Sequence, residues 1–333
     1  MLMLGWTGHT VQSPSAQALA RHISAGRVGA VIFVKENVGS REDVQALVTL
    51  FTEAAAPLIA IDHEGGNVQR LTEQHGVSRL PAARNVAASL TPECAQALYA
   101  QAGSEIARLG FDLNLTPVVD LHDPANPEIG HYDRAFSADP AWVRIYAQAC
   151  VDGFAAAGVL CALKHFPGDG HAHEDSHFSL PDVPAIWTER DLEPFAQLIR
   201  AGRAALVMVG HVRIDLLDPR PIPVSLSRAV MTGLLRDRLG FTGAAMTDDL
   251  DMKAVSTLMS RRQAVISAIA AGNDLVMIRN AENFDPDLPG RIVDWVRDAV
   301  IAGELSRSRI AQAALRVRQV RRTKLAAAVP APG

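Results

Sequence analysis

Short apolar runs, many of them β-branched, alternate with longer amphipathic stretches over the whole chain, and this alternation limits the fold more than any other feature. Strands joined through helices run parallel, and the helices cover the sheet. Strand candidates fall at 1–6, 28–34, 58–62, 113–119, 159–163, 205–209, 244–247 and 275–278, with helical runs between them, for example at 92–109, 140–157, 190–203 and 261–271. About eight β-then-α units in one run favour a closed barrel over an open sheet, so the expected fold is α/β, a single (β/α)8 TIM-type barrel.

No long linker, charge block or low-complexity segment interrupts the series, which leaves no obvious place for a domain boundary. One barrel domain is expected over 1–325, followed by an Ala- and Pro-rich tail at 326–333 that frays beyond an Arg-rich helix. Hydrophobic residues at 48% and charged residues at 20% are the balance of an ordinary globular protein. A formal net charge of -4, with Lys and Arg spread along the chain, offers no footprint for a nucleic-acid partner. No run reaches the roughly 18 apolar residues a membrane span needs, and residues 1–6 lack the basic flank of a signal peptide. Cys94, Cys150 and Cys161 are odd in number, widely spaced and set in apolar contexts, which reads as reduced core thiols in a cytoplasmic protein. The oligomeric state has no signal.

In a barrel, functional residues belong where strands end and loops begin. Polar residues cluster there: Asp62, Lys164 with His165, His211, and Asp248 with Asp249 each end a strand candidate. Burying such groups without partners costs roughly 1 to 3 kcal/mol each, so their recurrence at one rim suggests a shared polar site.

The densest segment, Lys164-His-Phe-Pro-Gly-Asp-Gly-His-Ala-His-Glu-Asp-Ser-His177, packs four histidines, three acids and one lysine behind a strand. Three readings of it compete. It is a solvated polar loop, a metal site built on His171 and His173, or an acid/base pair in which Asp175 and His177, two apart in extended chain, project to the same side. In the last case an ionised Asp175 fixes the imidazole tautomer and keeps a proton available. A second segment, Phe241-Thr-Gly-Ala-Ala-Met-Thr-Asp-Asp-Leu-Asp-Met252, runs from an apolar strand into three acids. Those acids either cap the next helix or, because alternation sends Asp248 and Asp249 to opposite faces, supply one nucleophile and one structural acid. The third, Leu58-Ile-Ala-Ile-Asp-His-Glu-Gly-Gly-Asn-Val-Gln-Arg70, lacks the pattern of a phosphate loop. Its Asp62 and Arg70 suit sugar hydroxyls, which a carboxylate accepts from and a guanidinium donates to.

Together these segments resemble glycoside hydrolase family 3, in particular its short cytoplasmic β-N-acetylhexosaminidase branch of peptidoglycan recycling. The resemblance rests on Ile61-Asp-His-Glu-Gly-Gly-Asn-Val-Gln-Arg-Leu71, on Asn126-Pro-Glu-Ile-Gly with Asp133-Arg134-Ala-Phe, on Lys164-His-Phe-Pro-Gly with Asp175-Ser-His177, and on Thr247-Asp-Asp-Leu-Asp-Met252. It implies a retaining exo-β-N-acetylglucosaminidase that removes terminal GlcNAc from GlcNAc-anhydroMurNAc muropeptides, with no cofactor and no metal. By the same resemblance Asp248 is the nucleophile and His177 the acid/base, with Asp175 as its dyad partner. Asp62, Arg70, Arg134, Lys164 and His165 then hold the sugar, and Ser176 is mainly a spacer. Three positions depart from the family pattern: His63 for Gln, Asn67 for Arg and Asp169 for His. Asn67 removes a charge at the rim and Asp169 adds an opposite one in the loop, which bears on aglycone preference.

His211 is as readily a hydrogen-bonded core histidine as a ligand contact, and is not counted in the site. Rival readings are a metal-dependent hydrolase on the same barrel using His171, His173 and His177, a glycosyl-transferring phosphorylase, and an inactive sugar-binding protein. An intact Asp248, Asp175 and His177 speak against the binder, which has no need of a nucleophile.

Overall fold

A parallel strand buried on both faces must be apolar at nearly every position, and eight segments of this chain meet that demand. The structure, a computed structural model, describes residues 1–183 and 186–327. Its barrel strands are β1 (Leu2–Leu4), β2 (Ala30–Phe33), β3 (Leu58–Ile61), β4 (Leu113–Asn114), β5 (Leu160–Phe166), β6 (Leu206–Val209), β7 (Ala244–Asp249) and β8 (Leu275–Ile278). They pair in chain order, and β8 closes on β1 with Leu2 opposite Val276. The α/β class and the (β/α)8 barrel are as the alternation predicts.

Boundaries differ where local chemistry intervenes. The run expected as a strand over 113–119 pairs continuously only at Leu113–Asn114, because Pro117 has no N–H to donate; Val118 returns to pair with Lys164 as a single bridge. Conversely β5 and β7 run past their expected ends, to Phe166 and Asp249, carrying polar residues into the sheet. The last helix, Arg307–Ala327, continues two residues beyond the expected domain end, and 328–333 of the expected tail lie outside the described residues.

Alternation fills the barrel. Ala30 and Ile32, Leu58 and Ala60, Leu206 and Met208, Ala244 and Met246, and Leu275 and Met277 meet in one buried interior cluster. Residues of opposite parity, such as Phe33, Ile61, Val207, Val209 and Ile278, pack outward under the helices. Mixing alanine with larger side chains lets layers interdigitate without voids. Counting two places past the last apolar layer reaches Asp62, Lys164 and Asp248, so the interior parity itself delivers polar groups to the C-terminal mouth.

Outside, Trp6 meets Phe33 and Phe51 edge to face with centroids 4.7 and 4.9 Å apart, and Phe33 meets Phe111 at 5.0 Å. Helices Arg41–Ala55, Glu189–Arg200 and Arg261–Ala271 start on reciprocal caps, Ser40 with Asp43, Thr188 with Asp191 and Ser260 with Gln263. Cys150 and Cys161 are buried free thiols, but Cys94 is exposed, contrary to expectation, because the first turn of helix Pro92–Ala107 turns that side to solvent. No described helix is long and apolar enough to cross a membrane.

Candidate active site

A cavity of about 370 Å³ opens at the C-terminal mouth of the barrel. Leu115, Met208 and Met277 contribute apolar surface, while Asp62, Glu64, Arg70, Arg134, Lys164, His165, His177 and Asp248 supply the polar groups. All eight residues singled out from the sequence meet here: seven line the cavity, and Asp175 stands behind His177.

Asp248 enters from β7 at the inward parity. Burial alone would push its carboxyl up, but the positive fields of His165 and His211, the N–H of Asp249 at 2.7 Å and the Lys164 ammonium hold it below the usual carboxylate range. It is therefore an anion at neutral pH. Asp249 points the other way, where its Oδ1 accepts the N–H groups of Asp251 and Arg279 at 3.0 and 2.9 Å. The two adjacent acids thus have separate surroundings, one facing the cavity and one tied to backbone.

Lys164 is 3% exposed and is held between two carboxylates, its Nζ 2.9 Å from Asp62 Oδ1 and 2.5 Å from Glu64 Oε1. Arg134 grips the same Glu64 through two parallel bonds, Nε to Oε2 at 2.9 Å and Nη2 to Oε1 at 2.8 Å. Arg70 completes the set with Nη2 3.7 Å from Asp62. Burial opposes ionisation of Glu64, yet the two cations overcome it and keep it far below the ordinary carboxylate range. Glu64 is absent from the residues assigned from the sequence. The period of two from Asp62 to Glu64 was a signal available for it.

Glu64→Ala would leave Lys164 and Arg134 buried beside one another without their shared anion. Breaking a buried pair in this way costs about 3 to 5 kcal/mol. A lower denaturant midpoint together with a raised KM is the expected outcome, and an unchanged midpoint would contradict the role of Glu64 as the keystone of these cations.

Behind the cavity, the fully buried Asp120 accepts from the backbone N–H of His165 (3.2 and 3.1 Å), from His165 Nδ1 (2.8 Å) and from the N–H of Asp169 (2.8 Å). Asp169 is buried too, and burial and the neighbouring charges of Asp120 and Glu128 push its carboxyl well up. The charge expected in the loop from Asp169 is accordingly disfavoured: the residue is an interior acid whose burial and acidic neighbours oppose its ionisation. His63 lies in the core outside the cavity, kept neutral by burial that lowers it to about 4. Asn67 does line the rim. His211 is the core histidine, with Nδ1 2.7 Å from Ser225 Oγ and Nε2 3.1 Å from the Asp249 carbonyl.

The loop after β5 brings His177 to the cavity edge. Its Nδ1 lies 2.8 Å from Asp175 Oδ1, and the same oxygen accepts the His177 N–H at 2.7 Å. Glu128 Oε1 also lies 2.8 Å from that Nδ1. Hydrogen bonding to Glu128 first, then the fields of both carboxylates, push the imidazole up to about 9. Ser176, expected to be a spacer, is buried instead: its hydroxyl donates to Glu128 Oε2 at 3.3 Å and its backbone carbonyl accepts the Ala254 N–H at 3.2 Å. Further along, His171 is committed to Asp123 and Asp191, each at 3.2 Å, which raises it, while His173 is exposed. Among the described residues the trio with ligand atoms close enough for a metal is Glu128, Asp175 and His177, not the histidines 171, 173 and 177. One imidazole N–H between two carboxylate oxygens accounts for that closeness with a proton in place of a cation.

A roomier cavity, about 520 Å³, opens at the opposite pole, where Asp274 just ahead of β8 binds Arg236 and Arg309 at 2.5 Å each and Arg316 at 3.3 Å. These bonds tie the last helix beneath the barrel. That pole of such barrels serves stability, and the reactive groups are at the other.

Residues 8–320 match the family model described as glycosyl hydrolase family 3 N terminal domain. A beta-hexosaminidase of Aromatoleum aromaticum is 38% identical over 299 residues, 85% of this chain and 79% of that protein. Among solved structures, a beta-N-acetylhexosaminidase from Beutenbergia cavernae superposes with a TM-score of 0.85 at 32% identity, covering 97% of this chain and 96% of that one. A glycoside hydrolase family 3 beta-N-acetylglucosaminidase from a Paenibacillus species gives 0.88 at 30% identity, covering all of this chain and 62% of the other.

Proposed function

The chain belongs to glycosyl hydrolase family 3 and is a glycoside hydrolase, and from that premise we propose that it is a retaining exo-β-N-acetylglucosaminidase with Asp248 as nucleophile and His177 as acid/base. The observation that carries this reading is the meeting of an ionised Asp248 and a carboxylate-bound His177 on one cavity.

With Nδ1 engaged by carboxylates, Nε2 is the free ring nitrogen, and its proton goes to the glycosidic oxygen as that bond breaks. Asp248 attacks C1 from the opposite face and forms a glycosyl ester. His177, now neutral, takes a proton from water, which attacks C1, releases Asp248 and restores the starting configuration. Asp62, Arg70, Arg134, Lys164 and His165 orient the sugar hydroxyls and the acetamido group. The relatives' names support a 2-acetamido sugar. Extending the reading, the substrates are GlcNAc-anhydroMurNAc muropeptides of peptidoglycan recycling in the cytoplasm, and 1–325 acts as one catalytic unit.

Proton NMR of an aryl β-N-acetylglucosaminide digest tests the reaction. The β-anomer of GlcNAc appears first, before mutarotation, at a rate independent of added phosphate and of chelator. An α-anomer product would overturn retention, and dependence on phosphate or metal would favour the rival reactions.

The pH profile follows from the two groups. For kcat/KM the free enzyme needs Asp248 ionised and His177 protonated. Asp248 lies below the usual carboxylate range, so activity holds down to acidic pH before it falls; His177 is raised to about 9, so activity falls as pH rises through that value. A basic limb near the ordinary histidine value would contradict the doubly held imidazole.

A further inference from the structure

We propose that Glu128 is a positioning residue that shares the Nδ1 proton of His177 with Asp175 and clamps the loop carrying both residues over the cavity. This rests on the reading of His177 as the acid/base.

Glu128 belongs to the loop after β4, and Asp175 and His177 to the loop after β5. Its two oxygens are used separately, Oε1 2.8 Å from His177 Nδ1 and Oε2 3.3 Å from Ser176 Oγ. Asp175 Oδ1 reaches the same Nδ1 at 2.8 Å. A single N–H cannot fully satisfy two carboxylate oxygens, and two anions beside a neutral ring repel one another. The arrangement is therefore stable chiefly while the ring is an imidazolium. Glu128 stays ionised there: burial opposes it, but its bond to His177 and the fields of His177, Arg134 and His165 hold it below its usual range.

Other charges face the same space. Asp62, Arg70 and Asp248 line it from the barrel, and Lys35, Glu36 and Arg279 line the adjoining cleft, yet the shift of His177 comes from Glu128 and Asp175. The chemical consequence is a trade. A second carboxylate makes the imidazole a better base for activating water and a weaker acid toward the leaving oxygen, while bridging the two loops keeps His177 from swinging into solvent, where half of its side chain already lies.

The test is an NMR titration of the full chain with ring-labelled histidine, the His177 signal being the one lost in His177→Gln. In Glu128→Gln, which keeps the shape but loses the charge, the His177 midpoint falls by about one unit or more. The basic limb of kcat/KM falls with it. Glu128→Asp, whose shorter arm withdraws the carboxylate, moves both in the same direction and covers the case in which the amide variant does not fold. An unchanged midpoint in a folded variant overturns the proposal. A lowered midpoint with an unmoved kinetic limb upholds the pairing of Glu128 with His177 and instead defeats the acid/base reading of His177.

Discussion

With Asp248 as the proposed nucleophile, Asp248→Ala is expected to abolish turnover while leaving the protein folded and able to bind sugar. The loss in kcat is expected on the order of 10⁴-fold, since removing a nucleophile takes away the covalent route as a whole. The reason is local: Asp248 is the inward-facing acid of β7, ionised in a field set by His165, His211 and Lys164, and Asp249 faces elsewhere on backbone N–H bonds. Asp249 therefore cannot substitute for it. Exogenous azide restores part of the rate by entering the vacated space, and the product is then the α-glycosyl azide, because the small anion attacks from the side Asp248 occupied. A β-azide, or an Asp248→Ala enzyme with substantial unaided activity, would assign the attacking group elsewhere.

His177→Gln gives the second large effect, and it depends on the leaving group. General acid catalysis contributes roughly 10²- to 10⁴-fold, and most where the departing oxygen is a poor leaving group. A substrate with an alkyl or sugar aglycone loses on the order of 10³-fold in kcat/KM. With a dinitrophenyl aglycone, which departs without a proton, the first step is nearly spared and the glycosyl enzyme accumulates, because the base for the second step is missing. The basic limb near pH 9 disappears in this variant, since it belongs to the imidazole held by Glu128 and Asp175. Equal losses across leaving groups would mean that His177 orients the loop and transfers no proton.

The parts of the site legible in the sequence are those that follow strand period. Asp62, Lys164 and Asp248 continue the inward parity of Ala60, Ala162 and Met246, so their gathering at the mouth follows from the alternation that builds the barrel. Asp175 and His177, two apart, meet for a different local reason: the segment expected to be extended is a turn, in which Asp175 Oδ1 accepts the His177 N–H and the Asp175 carbonyl accepts that of Phe178. What escaped was non-local. Glu128 and Ser176 meet across 48 residues of chain, and nothing in either loop's composition specifies the other as partner. Asp169 reads as a charge on any sequence scale, and only its burial beside Asp120, 49 residues away, disfavours that charge. The short pairing of β4 was foreshadowed by Pro117, whose missing N–H weighs more than the apolar run around it.

Trapping the intermediate tests the central claim most directly. A 5-fluorinated N-acetyl-β-glucosaminyl fluoride carries a good leaving group on a sugar whose oxocarbenium-like transition states are destabilised, so the glycosyl enzyme forms and persists. After brief incubation, digestion and mass spectrometry of the intact chain should find one added N-acetylfluoroglucosaminyl group, on the peptide containing Asp248 and on that residue. A label on another carboxylate such as Asp62, Asp175 or Asp249, with Asp248 unmodified in an inactivated enzyme, would contradict the account.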